Sequence, residues 1–430
     1  MKVLIISHNP ISNQSNMGKT FLSLFSKFDS SELCQLYIYP TIPNEKRCHS
    51  YFRITDKQVL SSLFRGKVPG GRIDPEQIRE DHSAFENGED EQIYRSRKNK
   101  SALRRLLRDA MWGMSRWYSR ELKVWLEEEK PDCMFVAPGV AKFIHNFALR
   151  ISRDYRIPIV TYVCDEYYFV KKPPMGLDRF RLVLLKRKID RLMAGTNHLV
   201  VISKELMEHY REKFSVPTSV LMTGSAFEPV ESTRETEEPR EISYFGNIRC
   251  NRFVSLGQIG EVLDEINQET DRDYRLKIYS AEKDPEILSS LQKYASVEIC
   301  GFVSGNAFTE ALLDAQLLLH TEAFDEASME FVRHSISTKI ADSLASGVPL
   351  VAYGPAGISS MEHLARNDCA MIALEPGALR DVLLRAFQEE SYRQRVVKNA
   401  LDTARRDHDS DKNGVEFRRI LMEAAGKTVC

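Results

Sequence analysis

Two segments of this 430-residue chain place residue types that could bind an anion at the start of a predicted helix. In the first, the apolar run 2–7 leads into a polar loop, and Gly18 opens the helix. In the second, Ser337, Thr338 and Lys339 open the helix, and Lys339 adds positive charge. Backbone N–H groups at a helix N-terminus bind phosphate-like groups. We therefore expect anion binding at both segments, with a tight turn at Gly18 and a plain N-cap at Ser337 as the alternatives.

The first segment also matches part of the phosphate-binding pattern G-x-x-x-x-G-K-[ST]. Gly18, Lys19 and Thr20 fit the second half of the pattern, whereas Asn13 occupies the place of its first glycine. No clear apolar strand ending in Asp follows that could hold magnesium. A phosphate-loop NTPase therefore stays open as an alternative function.

Neither a metal site nor a disulfide framework is indicated by the sequence. The eight cysteines include no C-x-x-C pair, and no histidine cluster has the spacing of zinc ligands. We expect reduced thiols in the core and no required metal.

Buried strands must position the two segments. Continuous apolar runs, typical of strands buried on both faces of a parallel sheet, alternate with helical patterns at 2–7, 132–137, 157–163 and 198–203. After a polar, acidic stretch, comparable runs resume at 242–246, 276–279, 297–299, 317–320 and 349–353. This alternation predicts two doubly wound α/β domains joined by a linker.

The predicted bounds are 1–222 for the first domain, 223–240 for the linker and 241–405 for the second domain. A C-terminal helix within 406–430 is expected to pack back on the first domain. No apolar run approaches the roughly 18 residues that span a bilayer, so we expect a cytoplasmic protein.

The formal net charge of −1 argues against a generally basic nucleic-acid-binding protein, yet two segments are strongly basic. Residues 95–123 hold ten basic and two acidic residues, with apolar residues at helical spacing, which predicts one amphipathic basic helix. Residues 171–191 hold eight basic and two acidic residues. Trp112, Trp117 and Trp125 cannot share one face of a helix, so at least one of them is expected in the core.

The segment 337–349 resembles the helix and following strand that close the donor site in GT-B glycosyltransferases. The resemblance is strongest to the large retaining (family 4, or group 1 type) bacterial enzymes, whose pattern is Glu-Ala-Met-Ala-x-Gly-x-Pro-Val-Val. Gly347, Pro349 and Val351 fit this pattern, and Asp342 stands where the family has the Glu that holds the ribose hydroxyls. A carboxylate suits that role because it can accept two hydrogen bonds from a vicinal diol.

The resemblance extends over nearly the whole chain. Residues 244–248 resemble the strand and glycine turn after which the family uses an Arg and a Lys to bind the donor diphosphate. Here Asn247 stands at the Arg position, Arg249 lies nearby and Arg252 stands at the Lys position. A guanidinium binds phosphate through a fork of two N–H groups, so Arg252 can replace that Lys. Phe302 and Val303 resemble the turn whose backbone contacts the nucleobase.

Catalytic candidates depart from the family pattern. The family carries a second Glu eight positions before the ribose carboxylate, and His334 stands there in this chain. One of the acidic residues Glu322, Asp325, Glu326 and Glu330 could substitute. Glu322 is the expected one because it directly follows a predicted strand, and strand C-terminal ends line the crevice of open α/β sheets. The alternative is that Glu322 belongs to a solvated acidic loop. In the first domain, Asp165 is a candidate general base or acceptor ligand, as are His8 and Glu166.

By resemblance, the expected fold is GT-B, two Rossmann-like doubly wound domains facing a central cleft. The implied activity is metal-independent transfer of a sugar from a nucleotide-diphosphate sugar, UDP- or GDP-linked, bound by the second domain. The acceptor would be a glycan or a lipid-linked sugar bound by the first domain, in bacterial surface polysaccharide synthesis. The basic helix 95–123 would contact an anionic membrane at its inner face. A non-catalytic sugar-nucleotide-binding protein stays open as a second alternative.

Overall fold

The computed structural model describes residues 1–12, 16–78, 102–170, 175–231 and 238–427. They form two compact units, one of Met1–Met222 together with Asp411–Cys430 and the other of Thr223–Ser410. The first stretch of the first unit ends at residue 222, and the segment predicted as a linker is grouped with the second unit. Each unit is built around one sheet.

The first unit contains an eight-stranded sheet in the order β4-β3-β2-β1-β5-β6-β7-β8. Its strands are β1 (Val3–Ser7), β2 (Leu33–Tyr37), β3 (Ser50–Arg53), β4 (Gly71–Ile73), β5 (Cys133–Val136), β6 (Ile159–Val163), β7 (Thr196–Val201) and β8 (Thr218–Val220). Seven of them run parallel, and only β4 pairs antiparallel, with β3. All five residues of β1 are buried because alternate side chains enter cores on opposite faces of the sheet.

Helices cover both faces of this sheet. They are α1 (Asn16–Leu24), α2 (Asp56–Arg65), α3 (Ala102–Met114), α4 (Arg120–Glu129), α5 (Lys142–Tyr155), α6 (Gly176–Ala194) and α7 (Lys204–Lys213). Side-chain caps fix the starts of several: the Ser203 hydroxyl accepts the Leu206 N–H at the start of α7 (3.2 Å).

The expectation of one helix over 95–123 was wrong. Helix α3 ends at Met114 and α4 begins at Arg120, with a break at 115–119. Ser119 caps the second helix by accepting the Leu122 N–H (3.2 Å). Residues 95–101 lie outside the described part of the chain. The expectation for the tryptophans was confirmed, because Trp112 and Trp125 are both fully buried in the core.

The second unit contains a six-stranded, all-parallel sheet in the order β11-β10-β9-β12-β13-β14. Its strands are β9 (Glu241–Phe245), β10 (Arg275–Tyr279), β11 (Val297–Gly301), β12 (Leu317–Thr321), β13 (Leu350–Tyr353) and β14 (Met371–Ala373). Its helices are α8 (Arg252–Thr270), α9 (Pro285–Gln292), α10 (Gly305–Asp314), α11 (Glu326–Val332), α12 (Thr338–Ala345), α13 (Ser359–Arg366), α14 (Leu379–Gln388) and α15 (Glu390–Asp407). The prediction of two doubly wound α/β domains is confirmed.

The last helix, α16 (Ser410–Ala424), places its apolar face in the core of the first unit. Phe417 is fully buried and makes edge-to-face contacts with Phe25 and Phe135, at 5.1 and 5.3 Å between ring centroids. Arg418 donates to both oxygens of Glu32 at 2.8 Å. The C-terminal segment is therefore part of the core of the first unit. In the described residues, no helix is both long and apolar enough to cross a membrane.

We expect Phe417→Ala to destabilise the first unit by about 3–5 kcal/mol, because it removes a buried ring and leaves a cavity. Trp112, Trp117 and Trp125 are the only tryptophans of the chain and all lie in the first unit, so tryptophan fluorescence in guanidinium chloride monitors this unit. Val415→Ala, on the same helix but 59% exposed, is the control and should change the stability by less than about 0.5 kcal/mol. Equal effects of the two substitutions would show that α16 does not stabilise this core.

Candidate functional site

Two of the predicted site residues form a buried ion pair in the second unit. Glu322 directly follows β12 and is 4% exposed, and Arg252 is the first residue of α8. Two nitrogens of Arg252 contact Oε2 of Glu322, Nε at 2.8 Å and Nη2 at 2.7 Å. The Ser255 hydroxyl also donates to the Glu322 carbonyl at 2.9 Å. The structure thus brings the expected diphosphate-binding arginine and the expected catalytic carboxylate together.

The ionisation of this cluster follows from burial and from the opposite charges. Burial raises the pKa of Glu322 above its ordinary value, while the charge and hydrogen bond of Arg252 oppose that rise. Burial alone would lower the pKa of Arg252, but the charge and hydrogen bond of Glu322, together with the neighbouring Tyr244, outweigh it and the pKa is raised. His320 Nε2 lies 3.6 Å from Glu322 Oε1, yet burial lowers the pKa of His320 to about 3. His320 is therefore neutral and forms no ion pair at physiological pH.

Asp342, expected to hold the ribose hydroxyls, is buried in α12. Its Oδ1 accepts the Ala226 N–H at 2.9 Å and lies 3.4 Å from the Ser225 hydroxyl. The carboxylate is therefore held in one orientation by the first residues of the second unit. Sequence reasoning did not reveal this second role of Asp342, because it depends on a contact across more than a hundred residues.

Arg249 also has a carboxylate partner. Its guanidinium is exposed and donates from Nη2 to Oε1 of Glu282 at 2.8 Å, and the Asn247 side chain accepts the Arg249 N–H at 2.8 Å. The hydrogen bond from Arg249 lowers the pKa of Glu282 to about 2. A phosphate would thus have to replace Glu282 at Arg249, as it would have to replace Glu322 at Arg252.

The helix N-terminus expected to bind an anion lies in the same unit. Helix α12 begins at Thr338, and Ser337 occupies the N-cap position without a side-chain capping hydrogen bond. The alternative in which the Ser337 hydroxyl caps the helix is therefore not realised. Lys339 lies in the first turn, close enough for its positive charge to help lower the pKa of His320.

The remaining candidates lie at separate places. Phe302 follows β11 and is 68% exposed, next to Val303 and after Gly301, whose φ of 81° favours glycine. His334 is buried between α11 and α12. Gly18 lies within the first turn of α1, in the first unit, apart in the chain from the other donor-binding candidates.

The first unit holds a cavity of about 320 Å³ at the carboxyl ends of β1, β5 and β6. Of the candidates named from the sequence, His8 lines this cavity, whereas Asp165 accepts a hydrogen bond from the Tyr167 hydroxyl (2.8 Å) just after β6. His145 and Tyr162 also line this cavity. Sequence reasoning missed them because each fits the helix or strand pattern around it, and nothing in that pattern indicates a binding site.

We expect Arg252→Ala to destabilise the second unit by about 3–5 kcal/mol at neutral pH, because it leaves the buried Glu322 unpaired. The pKa of Glu322 is higher in the folded protein than in the unfolded chain. Ionised Glu322 therefore destabilises the folded state, and this loss of stability grows as the pH rises from 4.5 to the folded-state pKa. Without Arg252 that pKa rises further, and the loss of stability should be larger at pH 8 than at pH 5.

Scanning calorimetry can follow the unfolding of the second unit. Its transition is the one that tryptophan fluorescence does not detect, because all three tryptophans lie in the first unit. Arg275→Ala, which breaks an exposed pair with Asp273 in the same unit, is the matched control and should cost about 0–1 kcal/mol. An Arg252→Ala effect that is small, or equal at the two pH values, would contradict the buried ion pair.

No protein-family model matches the chain, and no curated protein matches it either. Solved structures do match over nearly the full length. Anabaena Alr3699/HepE in complex with UDP and glucose has a TM-score of 0.62 at 10% identity, covering 98% of this chain and 99% of that one. Sucrose-phosphate synthase (tll1590) from Thermosynechococcus elongatus has a TM-score of 0.62 at 10% identity, covering 98% of each chain.

A third match is WaaG, a glycosyltransferase involved in lipopolysaccharide biosynthesis, with a TM-score of 0.54 at 14% identity and coverage of 96% of this chain and 99% of that one. Similarity at such low identity establishes the fold alone. The chain has the GT-B fold of these glycosyltransferases, as the resemblance in the sequence implied.

Proposed function

We propose that this protein is a glycosyltransferase that moves a sugar from a nucleotide-diphosphate sugar to an acceptor. The observation that carries the proposal is the cluster of Arg252, Glu322 and the α12 N-terminus at the carboxyl edge of the second sheet. In open α/β sheets, ligands bind at this edge. Alr3699/HepE, which shares the fold, has been solved with UDP and with UDP-glucose.

In this proposal, a donor diphosphate displaces Glu322 from Arg252. Phosphate oxygens fit the guanidinium fork as well as a carboxylate does and carry more charge. Lys339 and the N-termini of α8 and α12 add positive potential, which would stabilise the nucleoside diphosphate as it leaves. The released Glu322 carboxylate would then lie beside the donor sugar. These groups supply the charge stabilisation without a metal, so we expect activity in EDTA.

The proposed ribose ligand is Asp342. Its hydrogen bonds to Ala226 and Ser225 hold the carboxylate in one orientation before the donor arrives. Pre-orientation reduces the entropy lost when the donor is bound. Phe302 and Val303 are the proposed contacts of the nucleobase, and the acceptor is a glycan or a lipid-linked sugar bound by the first unit.

A peripheral membrane contact through the first unit is part of this proposal. Exposed apolar residues on α3 and α6 are accompanied by exposed arginines, and the two helices are joined by Arg105 and Asp178 (2.7 Å). The apolar residues are Leu103, Leu107, Leu177, Phe180 and Val183, and the arginines are Arg104, Arg179 and Arg187. An apolar face bordered by basic side chains is typical of surfaces that bind anionic lipid.

A thermal-shift panel of UDP, GDP, ADP and their sugars tests donor binding. We expect one nucleotide to stabilise the protein by about 2.7 kcal/mol at a hundred times its Kd. Asp342→Ala and Arg252→Ala should each abolish this shift, measured against the midpoint of the same variant without ligand. Lys19→Ala should keep it. Loss of the shift in Lys19→Ala alone, and only with magnesium, would favour the phosphate-loop NTPase, and no shift with any nucleotide would contradict the proposal.

Sedimentation with vesicles tests the membrane contact. Binding to vesicles rich in phosphatidylserine should weaken roughly 30-fold when Arg104 and Arg179 are both changed to Ala, at about 1 kcal/mol for each arginine. Phe331→Glu, which alters an aromatic residue of the second unit that is 74% exposed, is the control and should leave binding unchanged. Absence of sedimentation with anionic vesicles would remove the membrane contact from the proposal.

A further inference from the structure

The cavity in the first unit has the size of a site for a small ligand. Its volume of about 320 Å³ lies at the lower end of the range for ligand pockets, roughly 300–1,000 Å³. It is formed by the carboxyl ends of β1, β5 and β6 together with residues of α3, α5 and α6, all within one unit. Met17 of α1 and Tyr210 of α7 complete the lining, so all described lining residues belong to the first unit.

Two buried side chains in its wall each have one polar atom without a hydrogen-bond partner in the described residues. His145 is fully buried and Tyr162 is 2% exposed. Within the described residues, neither His145 Nε2 nor the Tyr162 hydroxyl has a partner. Buried polar atoms are nearly always paired, and leaving one unpaired costs free energy. Two unpaired atoms in the wall of one cavity indicate a ligand that pairs with them.

The ionisation of these side chains defines what the ligand must offer. His145 Nδ1 contacts the Ala141 carbonyl at 3.2 Å and must donate to it, and burial lowers the pKa of His145 to about 4. The ring is therefore neutral at physiological pH, and Nε2 is a hydrogen-bond acceptor. Burial raises the pKa of Tyr162, so its hydroxyl stays protonated and can donate. A ligand with hydroxyl groups satisfies both.

Among the described residues, the charged side chains that line the cavity belong to two arginines, and no Asp or Glu lines it. Arg108 donates from Nε to both oxygens of Asp56, at 3.1 and 3.0 Å. Arg181 Nε contacts Asp109 at 3.1 Å, and Asp109 also pairs with Lys142 at 2.9 Å. Three cations thus share two carboxylates, which leaves an excess of positive charge.

The start of α5 adds to this potential. Residues 138–141 line the cavity, and Ala141, at the N-cap position, offers no side-chain cap to the first-turn N–H groups. The positive end of a 14-residue helix therefore lies at the cavity wall.

We propose that this cavity binds an anionic sugar, whose hydroxyl groups pair with His145 and Tyr162 and whose phosphate or carboxylate is bound by Arg108, Arg181 and the α5 N-terminus. The sugar would be the acceptor, or the terminal residue of the acceptor, in the proposed transfer reaction. This role rests on the proposed function, whereas the binding itself rests on the cavity alone.

Ligand-observed NMR titration of the full chain, up to about 10 mM ligand, tests the inference. The probes are glucose 6-phosphate, glucuronate, methyl glucoside and inorganic phosphate. We expect glucose 6-phosphate or glucuronate to bind at least about tenfold more tightly than methyl glucoside and inorganic phosphate. Which of the two anionic sugars binds better distinguishes a phosphate-bearing acceptor from a carboxylate-bearing one.

Tyrosine variants provide a matched pair. Tyr162→Phe removes an unpaired hydroxyl, so the thermal midpoint should stay unchanged or rise. The affinity for the anionic sugar should fall at least about tenfold. Tyr37→Phe removes a buried hydroxyl that donates to the Thr41 carbonyl (2.8 Å) outside the cavity. It should lower the midpoint and leave binding unchanged. Arg108→Gln should remove the preference for the anionic sugar over methyl glucoside.

Three results would overturn the inference: no binding of either anionic sugar, equal binding of methyl glucoside or inorganic phosphate, or unchanged binding in Tyr162→Phe. The nucleotide panel separates this failure from that of the proposed function. Stabilisation by a nucleotide without sugar binding would remove the cavity from the transfer reaction. Sugar binding without stabilisation by any nucleotide would support the sugar site in the cavity and contradict the proposed transfer reaction.

Discussion

Burial of both faces of two parallel sheets is the constraint on which the candidate sites depend. Every residue of β1 and of β12 is buried, and the polar residues of the two strands, Ser7, His320 and Thr321, stand at their carboxyl ends. Polar groups first become possible at the carboxyl edge, where Glu322 follows β12 and where the cavity of the first unit lies. All strands of the second unit are parallel, so their carboxyl ends lie at one edge of the sheet. The N-termini of the helices that follow the strands lie at the same edge.

At that edge, the free protein neutralises its own phosphate-binding candidates. Arg252 is paired with Glu322 and Arg249 with Glu282, so neither guanidinium lacks a counter-charge. A buried pair of this kind contributes little net stability, because desolvation offsets the attraction, but breaking it is costly. Donor binding in the proposed function is therefore an exchange of one anion for another at Arg252. Such an exchange disfavours singly charged anions and favours a diphosphate, which brings more charge than the carboxylate it displaces.

The sequence predicted those parts of the fold that depend on long apolar runs. The five predicted strands of the second domain are present, whereas β2, β3, β4, β8 and β14 were missed. Four of these strands have only three or four residues, and Gln35 interrupts the apolar run of β2. The break between α3 and α4 was missed because Trp117 and Tyr118 continue the helical spacing through it, and only the Ser119 cap reveals it. Arg252 and Glu322 were predicted separately, but their pairing depends on how β9 lies beside β12, which spacing along the chain does not specify.

The two units differ in how their polar groups are satisfied before any ligand binds. In the second unit, the candidate groups already have partners, so a ligand must compete with bonds that already exist. In the first unit, His145 and Tyr162 leave one polar atom each without a partner in the described residues, so a ligand gains these two hydrogen bonds without breaking any at those atoms. Where a ligand must displace an existing partner, the site selects for charge. Where polar atoms have no partner, the site selects for the positions of donors and acceptors on the ligand. This division fits a reaction in which the donor is recognised by its diphosphate and the acceptor by the arrangement of its hydroxyl groups.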